Sequence, residues 1–153
     1  MFRAIIFYPM RVVAGVILNQ EGKILLTKRA EGQSRALLWE FPGGKVEAGE
    51  TDQESLEREL KEELCLEVEV LDHLVTVHHS YPDLNIELVC YLCRTDMDKP
   101  CLTVHSDYAW VRFDELEKFN LADADRKAVG EIKRRRQEFE LKIKKALRRQ
   151  EGT

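Results

Sequence analysis

Apolar and polar residues alternate along this chain in a pattern that predicts strands, then one helix, then further strands and a final helix. Residues 12–18 are apolar and β-branched, and residues 23–29 form a second strand pattern after a short turn, so the two should form a hairpin. Further extended segments are predicted at residues 37–41, 66–70, 74–78, 86–94 and 108–111. This order predicts a mixed β-sheet with helices packed on its faces.

The first helix is predicted by residue spacing after a glycine-rich stretch. Gly43 and Gly44 are expected to form a turn. Thr51 and Glu54 have the spacing of a capping box, so the helix should begin near Thr51. Leucines at positions 56, 60 and 64 then recur every four residues and form an apolar stripe, which should face the core.

Three carboxylates lie on this helix beside the leucine stripe. Glu59, Glu62 and Glu63 share one face, and helical geometry puts that face next to the stripe rather than opposite it. Like charges at this spacing destabilise a helix by a few tenths of a kcal/mol per pair, and by more near a low-dielectric core. A divalent cation would remove the repulsion, because Mg²⁺ and Mn²⁺ prefer carboxylate oxygens. The alternative is a solvated acidic face with Arg58 and Lys61 as its partners.

The carboxyl end is predicted to be helical and is strongly basic. Apolar residues at helical spacing predict one long helix from residue 122 to about residue 149, weakened at Gly130, after a short helix at residues 114–119. Residues 126–149 hold eleven basic and three acidic residues, a net +8 in a chain whose total is −4. Such a tail could contact RNA or an acidic partner. The alternatives are a solvated helix and a tail that folds back on the acidic body.

Length and composition favour one globular domain spanning residues 1–153. Four scattered cysteines are too few for a disulfide framework, which favours reduced thiols and a cytoplasmic location. Cys90 and Cys93 have the spacing of a zinc site, but a strand would put them on opposite faces, so core packing is the preferred interpretation. Arg3 and Pro9 interrupt the apolar amino end, so neither a signal peptide nor a membrane segment is predicted.

From Gly44 onward the chain reads G-x5-E-x7-R-E-L-x-E-E-x-C-L. This run resembles the Nudix box, G-x5-E-x7-R-E-U-x-E-E-x-G-U, in which U is a bulky apolar residue. The matching positions are Gly44, Glu50, Arg58, Glu59, Leu60, Glu62, Glu63 and Leu66. The flanking WEFPGGKVEAGE and the later YAWV and ADADR are most similar to the MutT branch of that family. The resemblance implies an α/β Nudix fold, with a mixed β-sheet sandwiched between α-helices (α/β/α).

The resemblance also implies a reaction, the hydrolysis of a nucleoside diphosphate linked to another group, with Mg²⁺ or Mn²⁺ as cofactor. Glu59, Glu62 and Glu63 would hold the metal ion, and the carbonyl oxygen of Gly43 would be a further ligand. Glu59 would also orient or deprotonate the attacking water. Arg58 would hold the carboxylates in place.

Substrate-binding residues are expected on both sides of the box. Lys45 and Arg29 are placed to meet phosphates, although Arg29 could instead be a solvated strand end. For the base, the resemblance points to a residue just before the C-terminal helix. Asp125 is the first choice and Asp123 the second, and either could instead be an N-cap. The aromatic residues that could stack on a base, or belong to the core, are Phe41 and Tyr81.

Two positions depart from the family pattern. Cys65 stands where the box has its last glycine, at the end of a helix where a left-handed backbone is usual. Val104 stands where MutT relatives often carry an acidic residue, which puts more weight on Glu59 as the base. His105 could compensate, although a lone histidine is more often structural.

The function expected from these features is that of a nucleoside triphosphate pyrophosphohydrolase of MutT type. It would release a nucleoside monophosphate and pyrophosphate, with 8-oxo-dGTP as the specific substrate. One alternative is a Nudix hydrolase acting on CTP, dCTP or RNA 5′ ends. Another is a non-catalytic nucleotide-binding module, against which the three intact carboxylates argue.

Overall fold

The computed structural model describes the backbone of residues 9–151 and the side chains of residues 9–148, so the prediction for the first residues lies outside the described part. The strands are β1 (Met10–Leu18), β2 (Ile24–Arg29), β3 (Trp39–Glu40), β4 (Gly43–Lys45), β5 (Glu69–Ser80), β6 (Asn85–Arg94) and β7 (His105–Val111). The helices are α1 (Asp52–Leu64), a 3₁₀ helix (Phe113–Lys118), α2 (Asp123–Arg134) and α3 (Arg136–Glu151). No helix within residues 9–151 is long and apolar enough to cross a membrane.

A seven-stranded mixed sheet forms the centre of the fold. Its order is β3-β2-β1-β6-β5, with β4 paired to β1 and β7 paired to β2. β1 and β6 are parallel along the nine residues of β1, and the other pairs are antiparallel. The predicted hairpin of β1 and β2 is present, but only Leu18 pairs with Ile24 before the two strands diverge. β4 then occupies that edge of β1, where Gly44 pairs with Val13.

Helices cover both faces of the sheet, as predicted. On one face, Leu56, Leu60 and Leu64 of α1 are buried in a core cluster that also contains Cys93. Each buried leucine contributes roughly 1.5–3 kcal/mol. On the other face, α2 packs in a second cluster that contains Cys90. The two cysteines therefore lie on opposite faces in separate cores, as the strand periodicity predicted.

The predicted single helix from residue 122 to about residue 149 is wrong. The chain forms two helices, α2 and α3. α2 ends at Arg134, and its C-cap residue Arg135 has φ −102° and ψ 32°. Gly130 lies inside α2 and does not interrupt it. The break falls in the arginine run at residues 134–136, where no apolar side chain holds the helix to the sheet. Beyond it, the ring of Phe139 packs 4.8 Å from that of Phe113, so α3 has its own apolar contact with the domain.

Several basic side chains of this tail are paired within the tail or with the body. Arg134 pairs with Glu131 at 2.6 Å, and Arg136 pairs with Glu140 at 2.9 Å. The Lys142 ammonium donates to a backbone carbonyl of β5 at 2.9 Å. These contacts correspond to the alternative in which the tail folds back on its own domain.

Candidate active site

The amino end of α1 is fixed to the sheet. The Glu54 N–H donates to the Thr51 hydroxyl at 3.1 Å and the Thr51 N–H donates to the Glu54 carboxylate at 3.2 Å, which completes the predicted capping box. Asp52 accepts hydrogen bonds from Arg11 on β1 and from Tyr91 on β6, each at 2.6 Å. The bond from Arg11 holds the pKa of Asp52 below its usual value. The direction in which α1 crosses the sheet is therefore set at its first turn.

The carboxyl end of α1 closes on a left-handed residue. Cys65 has φ 55° and ψ 28°, and its N–H donates to the Lys61 carbonyl at 3.1 Å. The Cys65–Lys61 bond is that of an αL cap, and the Leu66 N–H additionally donates to the Leu60 carbonyl at 3.2 Å. The predicted left-handed backbone is confirmed. A non-glycine residue in this conformation costs about 1 kcal/mol.

Gly43 and Gly44 belong to a strand, so the predicted turn is wrong. Both lie in β4, opposite Ala14 and Val13 of β1. A Cβ on Gly43 would lie 1.9 Å from the Val13 carbonyl oxygen, and a Cβ on Gly44 would lie 2.4 Å from the carboxyl carbon of Glu59. Glycine is required here because other groups approach the backbone closely, and not because of turn geometry.

Glu59 and Glu63 lie side by side next to β4. The Glu59 side chain is 13% exposed and its carboxylate rests against Gly44. Glu63 is half-buried and lies close enough to Glu59 to feel its charge. Burial and then the charge of Glu59 raise the pKa of Glu63 from an ordinary 4.5 to about 7.

Glu62 does not share this position. Its side chain is 61% exposed, so only two of the three predicted carboxylates border the core. Within the described residues, no three acidic, histidine or cysteine side chains converge on a point where one metal ion could bind.

Arg58 connects the carboxylates of this face. Its guanidinium donates to Glu50 at 2.7 and 2.9 Å, to Glu59 at 3.1 Å and to Glu62 at 3.2 Å. The hydrogen bond from Arg58 holds the pKa of Glu50 below its usual value. A solvated acidic face does not describe this arrangement, because the side chains of Glu59 and Arg58 are only 13% and 24% exposed.

A second ion pair borders the carboxylates from the side of the sheet. Arg29 donates to both carboxylate oxygens of Glu40 at 3.2 and 3.3 Å and to the Ser34 carbonyl at 2.7 Å, so it is not a solvated strand end. Glu40 lies 3.7 Å from the imidazole of His105, and its charge adds to the rise in the Glu63 pKa. Sequence reasoning missed Glu40. Its only signal was a charged residue in a short extended segment between two aromatic residues.

A cavity of about 200 Å³ opens beside these groups. Its lining includes Arg29, Arg35, Glu40, Phe41, Gly43, Gly44, Lys45, Tyr81 and Asp125. All four predicted substrate-binding residues are therefore brought to one cavity. Gly44 forms part of the cavity wall and also supports the Glu59 carboxylate, so the cavity and the carboxylate face are adjacent.

Asp125 is a buried residue in the lining of this cavity. It is 5% exposed and accepts the Phe41 N–H at 2.9 Å. The N-cap of α2 is Ala122, so the N-cap alternative is wrong for both Asp125 and Asp123. Burial and then the charge of Glu40 raise the pKa of Asp125 well above its usual range. The protonated form is thereby favoured, and a carboxylic acid can both donate and accept a hydrogen bond.

Tyr81 and Arg35 form another wall of the cavity. The Tyr81 hydroxyl accepts the Ala124 N–H at 2.9 Å. The Arg35 guanidinium lies 4.3 Å from the Tyr81 ring centre and pairs with Asp83 at 3.2 Å. Arg35 has a left-handed backbone, with φ 58°. Sequence reasoning missed Arg35, because nothing in the local pattern relates it to the turn that carries Tyr81.

Comparison with known proteins identifies the family. The family model described as the NUDIX domain matches residues 13–131. The chain belongs to the Nudix family. It is a Nudix hydrolase, and the predicted family is confirmed.

Named relatives place this Nudix hydrolase with the MutT type. It is 34% identical over 123 residues to the 8-oxo-dGTP diphosphatase of Haemophilus influenzae, covering 80% of this chain and 90% of the relative. It is 33% identical over 113 residues to the CTP pyrophosphohydrolase of Escherichia coli, covering 74% and 84%. The solution structure of Staphylococcus aureus MutT superposes with a TM-score of 0.66 at 38% identity, covering 83% and 97%. The predicted fold is thereby confirmed.

The acid that is missing from this Nudix hydrolase is not replaced by the neighbouring histidine. Val104 is 41% exposed, and its carbonyl accepts a hydrogen bond from Gln33 at 3.4 Å. The His105 side chain is 5% exposed and directed to Glu40, and its Nδ1 has no hydrogen-bond partner within residues 9–148. Its charge opposes the rise in the Glu63 pKa. His105 is thus a buried neighbour of the carboxylates.

Nudix hydrolases use a divalent metal ion, and the carboxylates of this chain fit one. Glu59 and Glu63 present hard oxygen donors side by side, and burial together with the charge of Glu59 raises the pKa of Glu63 although Arg58 donates to Glu59, so further positive charge would stabilise the ionised pair. A divalent cation would supply that charge. Glu62 is tied to Arg58 on the exposed side and would have to turn inward to join them.

Proposed function

We propose that this Nudix hydrolase is a MutT-type nucleoside triphosphate pyrophosphohydrolase that converts 8-oxo-dGTP to a nucleoside monophosphate and pyrophosphate. The observation that carries the proposal is the shared wall at Gly44 between the cavity and the carboxylate face. A nucleotide whose base is held beside Asp125 would extend its phosphates along β4 towards Lys45 and Glu59. One domain, residues 1–153, would contain the whole site.

Mg²⁺ is the proposed metal ion, with Mn²⁺ able to replace it. When bound, it would neutralise charge on the phosphates and lower the pKa of a bound water. Glu59, Glu62, Glu63 and the Gly43 carbonyl would hold it. Glu59 would accept the proton of the attacking water, and Arg58 would position the carboxylates through the hydrogen bonds that it already makes.

The phosphates would be bound by two basic residues of the cavity. Arg29 and Lys45 both line the cavity and carry the positive charge that a triphosphate needs. Arg29 is held by Glu40, which fixes the direction of its guanidinium while leaving part of its positive charge available.

The base would be read by Asp125, with Phe41 and Tyr81 as apolar walls. A protonated carboxyl offers one donor and one acceptor, which suits the guanine-type edge with its N–H and carbonyl groups. The same pair suits the N3 and amino group of cytosine. CTP or dCTP is therefore the second candidate substrate, supported by the relative that is a CTP pyrophosphohydrolase.

The basic C-terminal segment carries a separate part of the proposal. Arg135 and Lys145 are exposed and could contact an RNA backbone, which would make RNA 5′ ends a further substrate.

A nucleotide pool as substrate would place the enzyme in the cytoplasm. The non-catalytic alternative is weaker, because a protein that only binds nucleotides has no need of the adjacent Glu59 and Glu63 carboxylates.

A substrate panel with product identification tests the proposal. We expect kcat/KM for 8-oxo-dGTP, with Mg²⁺, to exceed that for dGTP, dCTP and CTP by about tenfold or more, which is the order of discrimination that a cavity fitted to the shape of one base can supply. Preference for CTP or dCTP would favour the second candidate. Tight binding without hydrolysis of any nucleotide, with either Mg²⁺ or Mn²⁺, would reject the enzyme.

Glu62→Gln tests the metal site within the same panel. We expect hydrolysis to fall by about 100-fold or more, because a carboxylate ligand is lost, while the melting temperature is unchanged since Glu62 is largely exposed. Glu57→Gln is the matched control, an exposed glutamate of α1 at a variable position of the box, and should keep full activity. Equal activity of the two variants would contradict the assignment of Glu62.

A further inference from the structure

The four cysteines of this chain fall into two groups. Cys90 and Cys93 are fully buried in separate cores, and burial raises the pKa of both thiols. Cys65 and Cys101 are exposed, free and neighbours in space. Oxidation of accessible thiols depends on exposure, so only the second group is open to a soluble oxidant.

The backbone fixes the second group at one place. The Cys101 N–H donates at 2.9 Å to the Leu64 carbonyl, which belongs to the peptide bond leading into Cys65. With standard bond lengths, this bond keeps the two α-carbons within about 7 Å, the upper end of the range for disulfides. The Cys101 thiol raises the pKa of Cys65, which agrees with a close approach of the two side chains. Neither side chain has to cross the surface for the sulfur atoms to meet.

A second anchor holds the same segment. The Thr103 N–H and hydroxyl both donate to the Glu63 carbonyl, at 3.3 and 2.8 Å. Residues 101–103 therefore form a strap along the last turn of α1, next to the carboxylates. Cys65 also occupies the left-handed cap position, whose geometry is set by the helix end rather than by its side chain.

We propose that Cys65 and Cys101 form a reversible oxidation site, whose disulfide staples the end of the carboxylate helix to the strap. The oxidant is a low-molecular-weight disulfide such as oxidised glutathione. The two thiols lose two electrons and two protons and form one S–S bond. The S–S bond of the oxidant breaks, and the oxidant takes up the two electrons and two protons to give two molecules of reduced thiol. A dithiol reductant reverses the step.

The staple would stabilise the fold by restricting the unfolded chain. Thirty-five residues lie between positions 65 and 101, and they contain β5 and β6. Closing a loop of this length lowers the entropy of the unfolded state substantially. For a chain of this size, the melting temperature should rise by roughly 5 °C or more.

The test is oxidation of the full-length protein with oxidised glutathione, followed by peptide mapping without reduction and by thermal unfolding. We expect one linked peptide pair, Cys65 with Cys101, no change at Cys90 or Cys93, and a higher melting temperature that returns to its starting value after reduction. A linkage between two molecules, a stable glutathione adduct without linkage, or a lower melting temperature would overturn the proposal.

Two variants separate the staple from other effects of oxidation. Cys65→Gly keeps the left-handed cap without strain and removes one thiol, and Cys101→Ser removes the other. Neither should gain thermal stability on oxidation, whereas reduced Cys65→Gly should be at least as stable as the reduced wild type. An oxidant-dependent rise in either variant would show that another group is responsible.

Discussion

The two sides of the active site are built in different ways. The carboxylate side comes from β4 and α1, which follow one another in a single continuous stretch. The base side takes its residues from the loop after β2, the turn after β5 and the first turn of α2. The residues of the carboxylate side are related by their spacing along the chain. The residues of the base side are brought together only when the sheet and α2 have folded.

The two sides also differ in how firmly they are held. Arg58, Arg11 and the capping box fix α1 through charged hydrogen bonds at several points. The base side depends on a loop in which Arg35 and Leu37 both have positive φ. Each such residue costs about 1–3 kcal/mol, which the surrounding contacts must offset. We therefore expect substitutions on the carboxylate side to remove activity, and those on the base side to change the choice of substrate.

Gly44→Ala should give the largest effect. Its Cβ would lie 2.4 Å from the carboxyl carbon of Glu59, which is the movable end of a side chain, so the carboxylate shifts while the backbone stays. We expect kcat to fall about 100-fold, as for loss of one well-placed transition-state contact. The melting temperature should change by less than about 3 °C. Steady-state kinetics and thermal unfolding measure the two quantities.

Gly43→Ala is the matched comparison for that variant. Its Cβ would lie 1.9 Å from the Val13 carbonyl oxygen, a backbone atom of β1 that cannot move aside. Here stability should fall by roughly 3 kcal/mol. Similar melting temperatures for the two variants would contradict the distinction, and a normal kcat for Gly44→Ala would show that β4 does not position Glu59.

Arg35→Ala should have an intermediate effect, confined to binding. The guanidinium stacks 4.3 Å from the Tyr81 ring, and such a contact is worth about 0.5–2 kcal/mol. We expect KM for the preferred nucleotide to rise about tenfold with kcat nearly unchanged, because Arg35 lines the cavity and its ion pair is with Asp83 rather than with a carboxylate of α1. Arg134→Ala, an exposed arginine of α2, should leave both constants as they are. A fall in kcat equal to the rise in KM would place Arg35 in the chemistry instead.

Glu63→Gln should lower activity because it changes a proposed metal ligand, and in the metal-free protein it should also have a small effect on stability. In metal-free protein the pKa of Glu63 is about 7 in the folded state against 4.5 ordinarily, so the folded state binds the proton more tightly. Stability is therefore lost as the pH rises from about 4.5 through 7. The full shift corresponds to about 3 kcal/mol, and solvent screening reduces it to about 1 kcal/mol for a half-buried group.

Denaturant unfolding in the presence of a chelator checks this expectation. At pH 8 the Glu63→Gln variant should be more stable than the wild type by about 1 kcal/mol, and at pH 4.5 the two should be alike. Divalent metal should stabilise the wild type at pH 8 more than the variant. Parallel pH profiles in the two proteins would rule out Glu63 as the source of the loss.

The carboxylate side could be predicted because its physics is local. The capping box at Thr51, the leucine stripe and the left-handed residue at position 65 all follow from spacing along one helix. The same reasoning from local spacing wrongly explained Gly43 and Gly44 by a turn. Their constraint comes from β1 and Glu59, which lie nearby only in the folded sheet.

The base side and the tail were harder to predict from the sequence, because their contacts are between residues far apart along the chain. Glu40 and Arg35 are polar residues in irregular segments, and their partners lie far along the chain. Asp125 was found only through resemblance, since a buried carboxyl in the first turn of a helix has the pattern of an N-cap. The prediction of one long terminal helix failed because helical spacing of apolar residues continues across Arg135, whereas the backbone of Arg135 leaves the helical conformation.

One edge of β1 serves two partners. β2 pairs with β1 only at Leu18, and β4 takes over at residues 12–14. Val13 and Ala14 line the cavity, and they also pair with Gly44 and Gly43 of β4, where Gly44 touches the Glu59 carboxylate. A substitution that shifts this short stretch of β1 should therefore disturb nucleotide binding and the carboxylate face together.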